Sequence, residues 1–204
     1  MSTTRMTAAE RREQIEAEAA VVFAERGYHG ATIDEICRRC GISAPVLYDH
    51  FPSKLALHRR LLEKTRDELL GLWRAELGGD DPTERRVARA IDTWAAYVQA
   101  HPYVPRLFLT EPTGDAEAET IHREVRGQSQ AALGAILGET TRWAGAADPL
   151  ANEMAAEVMR SGLAGLAIWW SDHPDVPREQ IVATALNMMW VGLDRLRRGE
   201  TWDG

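Results

Sequence analysis

The 204-residue sequence predicts an all-α protein. Apolar residues recur at spacings of three and four along most of the chain, the period of one helix face. No run alternates apolar with polar residues between turn signals, as a half-buried strand would. Helix starts are legible as an acceptor side chain followed three residues later by a carboxylate, the capping-box pattern. It occurs at Thr7 with Glu10, at Thr32 with Glu35, and within Asp81-Pro82-Thr83-Glu84.

Nine helices are expected, over 7–26, 32–39, 44–50, 53–77, 82–100, 102–110, 115–143, 149–172 and 177–198. The first opens at Thr7 and stops at Gly27-Tyr28-His29-Gly30. The second opens at Thr32 and stops at Cys40-Gly41. The third opens at Ser43, carries Pro45 in its first turn and ends before Pro52. The fourth runs unbroken from Ser53 to Gly78-Gly79-Asp80, and the fifth opens in Asp81–Glu84. His101-Pro102 separates the fifth from the sixth, and Pro112 and Gly145 close the sixth and seventh. Asp148-Pro149 reads as an N-cap with proline at the first helical position, and the Pro174–Pro177 segment precedes the last helix. A continuous fourth helix is a stiff joint. The chain is therefore divided at its start, into 1–54 and 55–204.

Composition bounds what such a protein does. Apolar residues make up 45% and charged residues 27%, the mix of a soluble globular protein. The first residues have no apolar core and do not read as a secretory signal. The longest apolar stretch, Gly162 to Trp170, falls far short of the roughly 20 residues of a membrane span. Two cysteines exclude a disulfide scaffold and suit a reducing compartment, so a cytoplasmic protein is expected. Net charge is −7, but unevenly placed. Residues 1–60 hold 9 basic and 8 acidic side chains, and residues 61–204 hold 15 and 23. The acidity lies in the C-terminal part, and the N-terminal part is free to present a local basic face.

The segment Thr32 to Phe51 carries the functional reading. Ile33, Ile36, Cys37, Cys40 and Ile42 form a helix face followed by an apolar turn residue. Gly41 falls where the backbone must turn left-handed. Ser43 then offers an N-cap, and Val46, Leu47 and Phe51 pack the next short helix back. Two short helices joined by a glycine-containing turn form a helix-turn-helix, whose second helix enters the major groove of DNA. The run Gly41-Ile42-Ser43-Ala44-Pro45-Val46-Leu47-Tyr48-Asp49-His50-Phe51-Pro52-Ser53-Lys54 resembles the signature of the TetR family of bacterial regulators. Phe23-Ala24-Glu25-Arg26-Gly27-Tyr28 and Ala31-Thr32-Ile33-Asp34-Glu35-Ile36 match it as well.

That resemblance implies an N-terminal three-helix DNA-binding domain and a C-terminal helical domain for ligand binding and dimerisation. It implies a homodimeric repressor that leaves a palindromic operator when a small apolar effector binds. Carried onto this chain, it places Thr32, Tyr48, His50 and Lys54 at phosphates and Ser43, Ala44 and Pro45 at the bases. Val46 lies on the same short helix, and Asp49 departs from the pattern: it is acidic beside the phosphate contacts and repels them unless it accepts from a cytosine amino group. Ala44 stands where many relatives carry a longer polar side chain, which shifts weight to DNA shape. Arg5, Arg11 and Arg12 are expected to add phosphate contacts from the N-terminal arm.

In the C-terminal part, Trp94, Tyr97, Leu107, Phe108, His122, Trp143 and Trp169 are expected to wall a ligand hollow, with Glu111, Arg106 or His122 as its polar contact. Leu163 and Leu166, in a stretch rich in small residues, and Ile181, Ala185, Met189, Gly192 and Leu196 are expected to form a dimer face. Cys37-Arg38-Arg39-Cys40 has the spacing of a metal or redox pair, but both thiols fall on the apolar face of the second helix and read as core. The six histidines show no metal-ligand spacing, and no nucleophile sits beside a base. No metal, cofactor or enzymatic activity is expected. An architectural DNA-binding protein without effector and a helical enzyme are the rival readings. The first predicts a filled C-terminal core, the second turnover.

Overall fold

The computed structural model describes residues 6–110, 114–141 and 149–198. Among them there are only helices, turns and bends, with no strand. The elements are α1 (Ala8–Gly30), α2 (Ile33–Cys40), α3 (Ala44–His50), α4 (Lys54–Leu77) and α5 (Thr83–Ala100), then a π-helical turn (Pro105–Leu109), α6 (Ala116–Thr141), α7 (Pro149–Ser171) and α8 (Arg178–Arg197). None is long and apolar enough to cross a membrane.

Where side chains cap, the helix starts fall as expected. Thr7 and Glu10 form the full capping box, with Glu10 N donating to Thr7 Oγ1 at 3.2 Å and Thr7 N donating to Glu10 Oε2 at 2.7 Å. At Thr32 only half of the box forms: Glu35 N donates to Thr32 Oγ1, while the Glu35 carboxylate turns to Arg39 at 3.2 Å. The third expected box is absent. Pro82 is the N-cap of α5 without a side-chain bond, and Asp81 pairs with Arg89. An available arginine competes for each of these carboxylates.

Two other expectations change shape. The first helix does not stop at Gly27 but kinks there, at φ +68°, and turns on to Gly30. Tyr28 is thereby carried back against Phe23, with ring centres 5.9 Å apart. The helix expected over 102–110 is a π-helical turn. Pro105 begins it, and Thr110 Oγ1 donates to the Pro105 carbonyl at 3.2 Å, one residue beyond α-helical reach.

The core has two parts. One gathers Ile15, Phe23, Ile36, Leu47, Phe51 and Leu57 around the first three helices. The other gathers Trp73, Ile91, Trp94, Leu133, Leu163 and Ile181 around α5 to α8. α4 belongs to both, through Leu57, Leu61 and Leu62 in the first and Leu70, Trp73 and Leu77 in the second. The first core reaches beyond residue 54 and takes in Leu107, Ala118, Ile121 and Val125. The reading head is therefore packed onto the π-helical turn and α6 as well as onto α4.

Candidate functional site

The helix-turn-helix is built from local rules. Gly41 caps α2 at φ +65°, ψ +36°, its N–H donating to Arg38 O at 3.3 Å, and Ile42 N donates to Cys37 O at 3.0 Å. This satisfies carbonyls that α2 leaves unpaired at its end. Cys37 and Cys40 are each only 5% exposed. Burial pushes the Cys37 thiol up and the Cys40 thiol to about 11, so both stay protonated near neutrality and behave as small core residues. α3 is seated on Leu47, which is fully buried, and on the following Phe51.

The rest of α3 faces outward. Ser43, Pro45, Tyr48 and Asp49 are exposed, as is Val46, and Ala44 and His50 are half-buried. The expectation that Val46 packs α3 back is thereby corrected, because the burial is done by Leu47 and Phe51. Ser43 sits at the N-cap position but makes no side-chain cap bond, which leaves its hydroxyl turned to solvent. Thr32 Oγ1 accepts from Glu35 N and keeps its own proton to donate. Lys54 does more than the sequence suggests. Its Nζ donates to Tyr28 O at 2.8 Å and Ala31 O at 3.1 Å, and lies 4.4 Å from the Tyr28 ring centre. It thus closes the end of α1 against the start of α4 with two of its three N–H donors.

An apolar hollow opens between α4, α5, α6, α7 and the π-helical turn. Of the residues expected to wall it, Trp94, Phe108 and His122 do face it. Leu107 instead points into the first core. Tyr97 lies outside and donates to Glu68 at 2.6 Å, its phenol pushed up by burial and by that carboxylate. Trp169 is on the surface, stacked on His173 with ring centres 4.0 Å apart. Trp143 and Glu111 lie outside the described residues. Arg106 is turned away to Asp172 at 2.8 Å. Leu107 and Phe108 are neighbours on the π-helical turn and point to different sides of it, Leu107 to the first core and Phe108 to the hollow.

The α4 wall of Leu62, Arg66, Leu69, Leu70 and Trp73 was not anticipated as a hollow's wall. Its three- and four-residue spacing shows an apolar face but not what the face looks upon. The rim holds three arginines, Arg66, Arg126 and Arg160. Arg66 pairs with Asp67 and Gln128. Arg126 and Arg160 approach Glu157 at 3.5 and 2.6 Å. The Arg160 hydrogen bond, against the opposing effect of burial, holds the Glu157 carboxyl down to about 2. His122 Nε2 lies 3.0 Å from the Phe108 carbonyl, an acceptor only, so that nitrogen donates.

The expected dimer face is corrected by burial. Leu163, Ile181 and Ala185 are 3%, 2% and 2% exposed and belong to the chain's own core. Leu166 and Met189 pack partly against that core. Gly192 is exposed, and the side chain of Leu196 lies outside those described. The apolar side chains left uncovered on α7 and α8 are others: Leu150, Met154, Val158, Trp169, Met188 and Val191. Both faces of these helices are apolar, and spacing alone cannot say which one the chain covers itself.

The comparisons with known proteins agree with this geometry. Residues 15–61 match the family model of the bacterial regulatory proteins of the tetR family. Over 192 residues, 92% of this chain and 84% of the relative, the sequence is 27% identical to the HTH-type transcriptional activator FasR of Mycolicibacterium smegmatis. The fold superposes with a TM-score of 0.74 on the fatty acid degradation regulator FadR from Bacillus halodurans, at 17% identity over 91% of this chain and 99% of that one. It superposes with a TM-score of 0.68 on FadR from Bacillus subtilis in complex with stearoyl-CoA, at 17% identity over 92% and 98%. At that identity the two structures speak for the fold. With its outward-facing second helix, the chain is a DNA-binding transcriptional regulator of the helix-turn-helix type and not an enzyme. Its helix-turn-helix, within residues 15–61, is of the type found in the TetR family of bacterial regulators.

Proposed function

We propose that this regulator acts in the cytoplasm as a homodimer that reads an inverted-repeat operator and releases it when an acyl-type ligand fills the hollow. The observation that carries this reading is the double duty of α4. It supports the reading head through Leu57 and Leu61 and walls the hollow through Arg66, Leu70 and Trp73, with Leu62 belonging to both. A ligand that spreads α4 from α6 and α7 would tilt the head on the same rigid rod.

On DNA, Ser43, Ala44, Pro45, Val46 and Asp49 meet the base edges, and Thr32, Tyr48 and His50 meet phosphates. Lys54 adds its one remaining N–H. The two α3 helices sit about 34 Å apart, one turn of the duplex. The division of labour is 1–54 for DNA and 55–204 for ligand and dimer, with the boundary residues of α4 shared. The uncovered apolar side chains of α7 and α8 favour a second copy as the partner. The hollow is predominantly apolar with arginines at its rim, which suits a chain with an anionic end. B. subtilis FadR was solved with stearoyl-CoA bound, a ligand of that chemistry. An open apolar hollow walled by α4 to α7 speaks against a purely architectural role, for which a filled core is expected. Whether release lowers or raises transcription depends on where the operator lies relative to its promoter.

The test is selection of binders from a random DNA pool at fixed salt with excess competitor, followed by titration of the recovered duplex with stearoyl-CoA. An inverted repeat that the ligand releases is the expected result. No enriched sequence would overturn the operator reading. An operator whose affinity no acyl chain alters would overturn the ligand reading.

A further inference from the structure

The sequence groups Arg12 with the arginines of an arm that meets phosphate, yet its side chain is engaged within the protein. Nη1 donates to the carbonyl of His50, the last residue of α3, at 3.3 Å. The guanidinium lies 4.4 Å from the centre of the Phe51 ring. Nε lies 3.5 Å from the Glu16 carboxylate. Glu16 is 3% exposed and is held from the other side by Arg60 and Lys64 of α4, each at 3.0 Å. Burial alone would raise the Glu16 pKa, but the hydrogen bonds from Lys64 and Arg60 outweigh it and keep the carboxylate charged.

α3 needs such an anchor. It is seven residues long, has one fully buried side chain and lacks a side-chain N-cap bond. A guanidinium on its last carbonyl satisfies a group the helix itself cannot and sits at the favourable end of its dipole. A buried carboxylate is costly unless paired, so Glu16 holds its cations in one arrangement. Those cations come from α1 and from α4.

Taking α3 as the helix that enters the groove, we propose that Arg12 is a positioning residue of the recognition helix. In this role Glu16 locks Arg12 to α4, so that α1, α3 and α4 present one geometry to DNA. A positioning role and a phosphate contact make opposite predictions. Removing the negative charge of Glu16 from a DNA-binding head should strengthen DNA binding if only charge matters.

The experiment uses the full-length protein with the operator recovered by selection and an unrelated duplex of equal length. Affinities are measured across salt for Arg12→Gln, Arg12→Lys, Glu16→Gln and the Arg12→Gln/Glu16→Gln double variant. Each of the three single variants should weaken operator binding about tenfold, the order expected for a lost charge-assisted bond. Binding to the unrelated duplex and the salt slope should stay near wild type. The double variant should lose no more than the weaker single, because both residues act through one network. Arg12→Lys at wild-type affinity, with the Arg12→Gln salt slope reduced by about 1, would make Arg12 a phosphate contact. Glu16→Gln tightening both duplexes alike would reduce Glu16 to a charge. Should Glu16→Gln fail to melt cooperatively, the two Arg12 variants decide, since that side chain is 44% exposed and its loss spares the core. A wild type that selects no sequence would overturn the groove assignment and the positioning role together.

Discussion

His58 is 2% exposed, and neither ring nitrogen has a hydrogen-bond partner. It packs against the rings of both Phe23 and Tyr28, each with its centre 4.9 Å away. Burial, then the positive charges of His122 and Lys54, push its pKa down to about 4, with Asp115 acting weakly the other way. The unfolded value is about 6.5. Between these values the unfolded chain binds a proton that the folded chain refuses, so stability present above pH 6.5 is lost as pH falls towards 4. The loss through His58 is on the order of 3 kcal/mol. Urea unfolding of wild type and His58→Leu at several pH values between 4.5 and 7.5 checks this. The gap between the two should shift in favour of the variant as pH falls, and a constant gap would refute the assignment. Neither His58 nor Glu16 was legible in the sequence as a buried group. His58 is one of six scattered histidines, and Glu16 stands in a charged stretch of α1 that reads as solvated. What buries Glu16 is a pair of cations 44 and 48 positions away, which no local pattern contains.

At the scale of elements, the ends of helices were legible wherever a side-chain cap or a glycine decides them. Gly41 is the sharpest instance. It adopts φ +65°, and a Cβ there would meet no other group within 4 Å, so the cost of Gly41→Ala is backbone strain alone. That cost is about 1 kcal/mol, lowering the melting temperature by about 2–4 °C in a chain this long. Thermal melts check it, and an unchanged midpoint would show that the turn relaxes to another shape. Operator affinity of the folded variant should stay close to wild type, since no contact of α3 is removed. The fold class and the placement of the α2–α3 turn needed only such local rules. The π-helical turn did not follow from them: Leu107 packs there into the core beneath the reading head, a contact that no local pattern contains.

The whole molecule poses the question that periodicity left open, namely which apolar faces the chain covers for itself. Val158 and Met188 are 71% and 79% exposed. Charges placed there by Val158→Glu and Met188→Glu should change monomer stability by no more than about 0.5 kcal/mol. In the proposed dimer they face a second copy, so light scattering should report monomers. Operator affinity should then fall by about 10² or more, as the two half-sites lose their linkage. Unchanged mass would place the dimer face elsewhere. The hollow allows a separate test of the other half of the reading. Near-complete switching requires a ligand that favours the released state about 10⁴-fold, and in this reading its contacts in the hollow supply that difference. Ala164 lines the hollow and is 8% exposed. Ala164→Phe fills part of it at a cost of about 1–3 kcal/mol, small enough to leave a folded protein. The variant should hold its operator as tightly as wild type and keep holding it at stearoyl-CoA concentrations that release wild type. Release at the wild-type concentration would mean that the ligand works from another surface. Loss of DNA binding without any ligand would mean that filling the hollow itself mimics the effector, which would still tie the hollow to the reading head through α4.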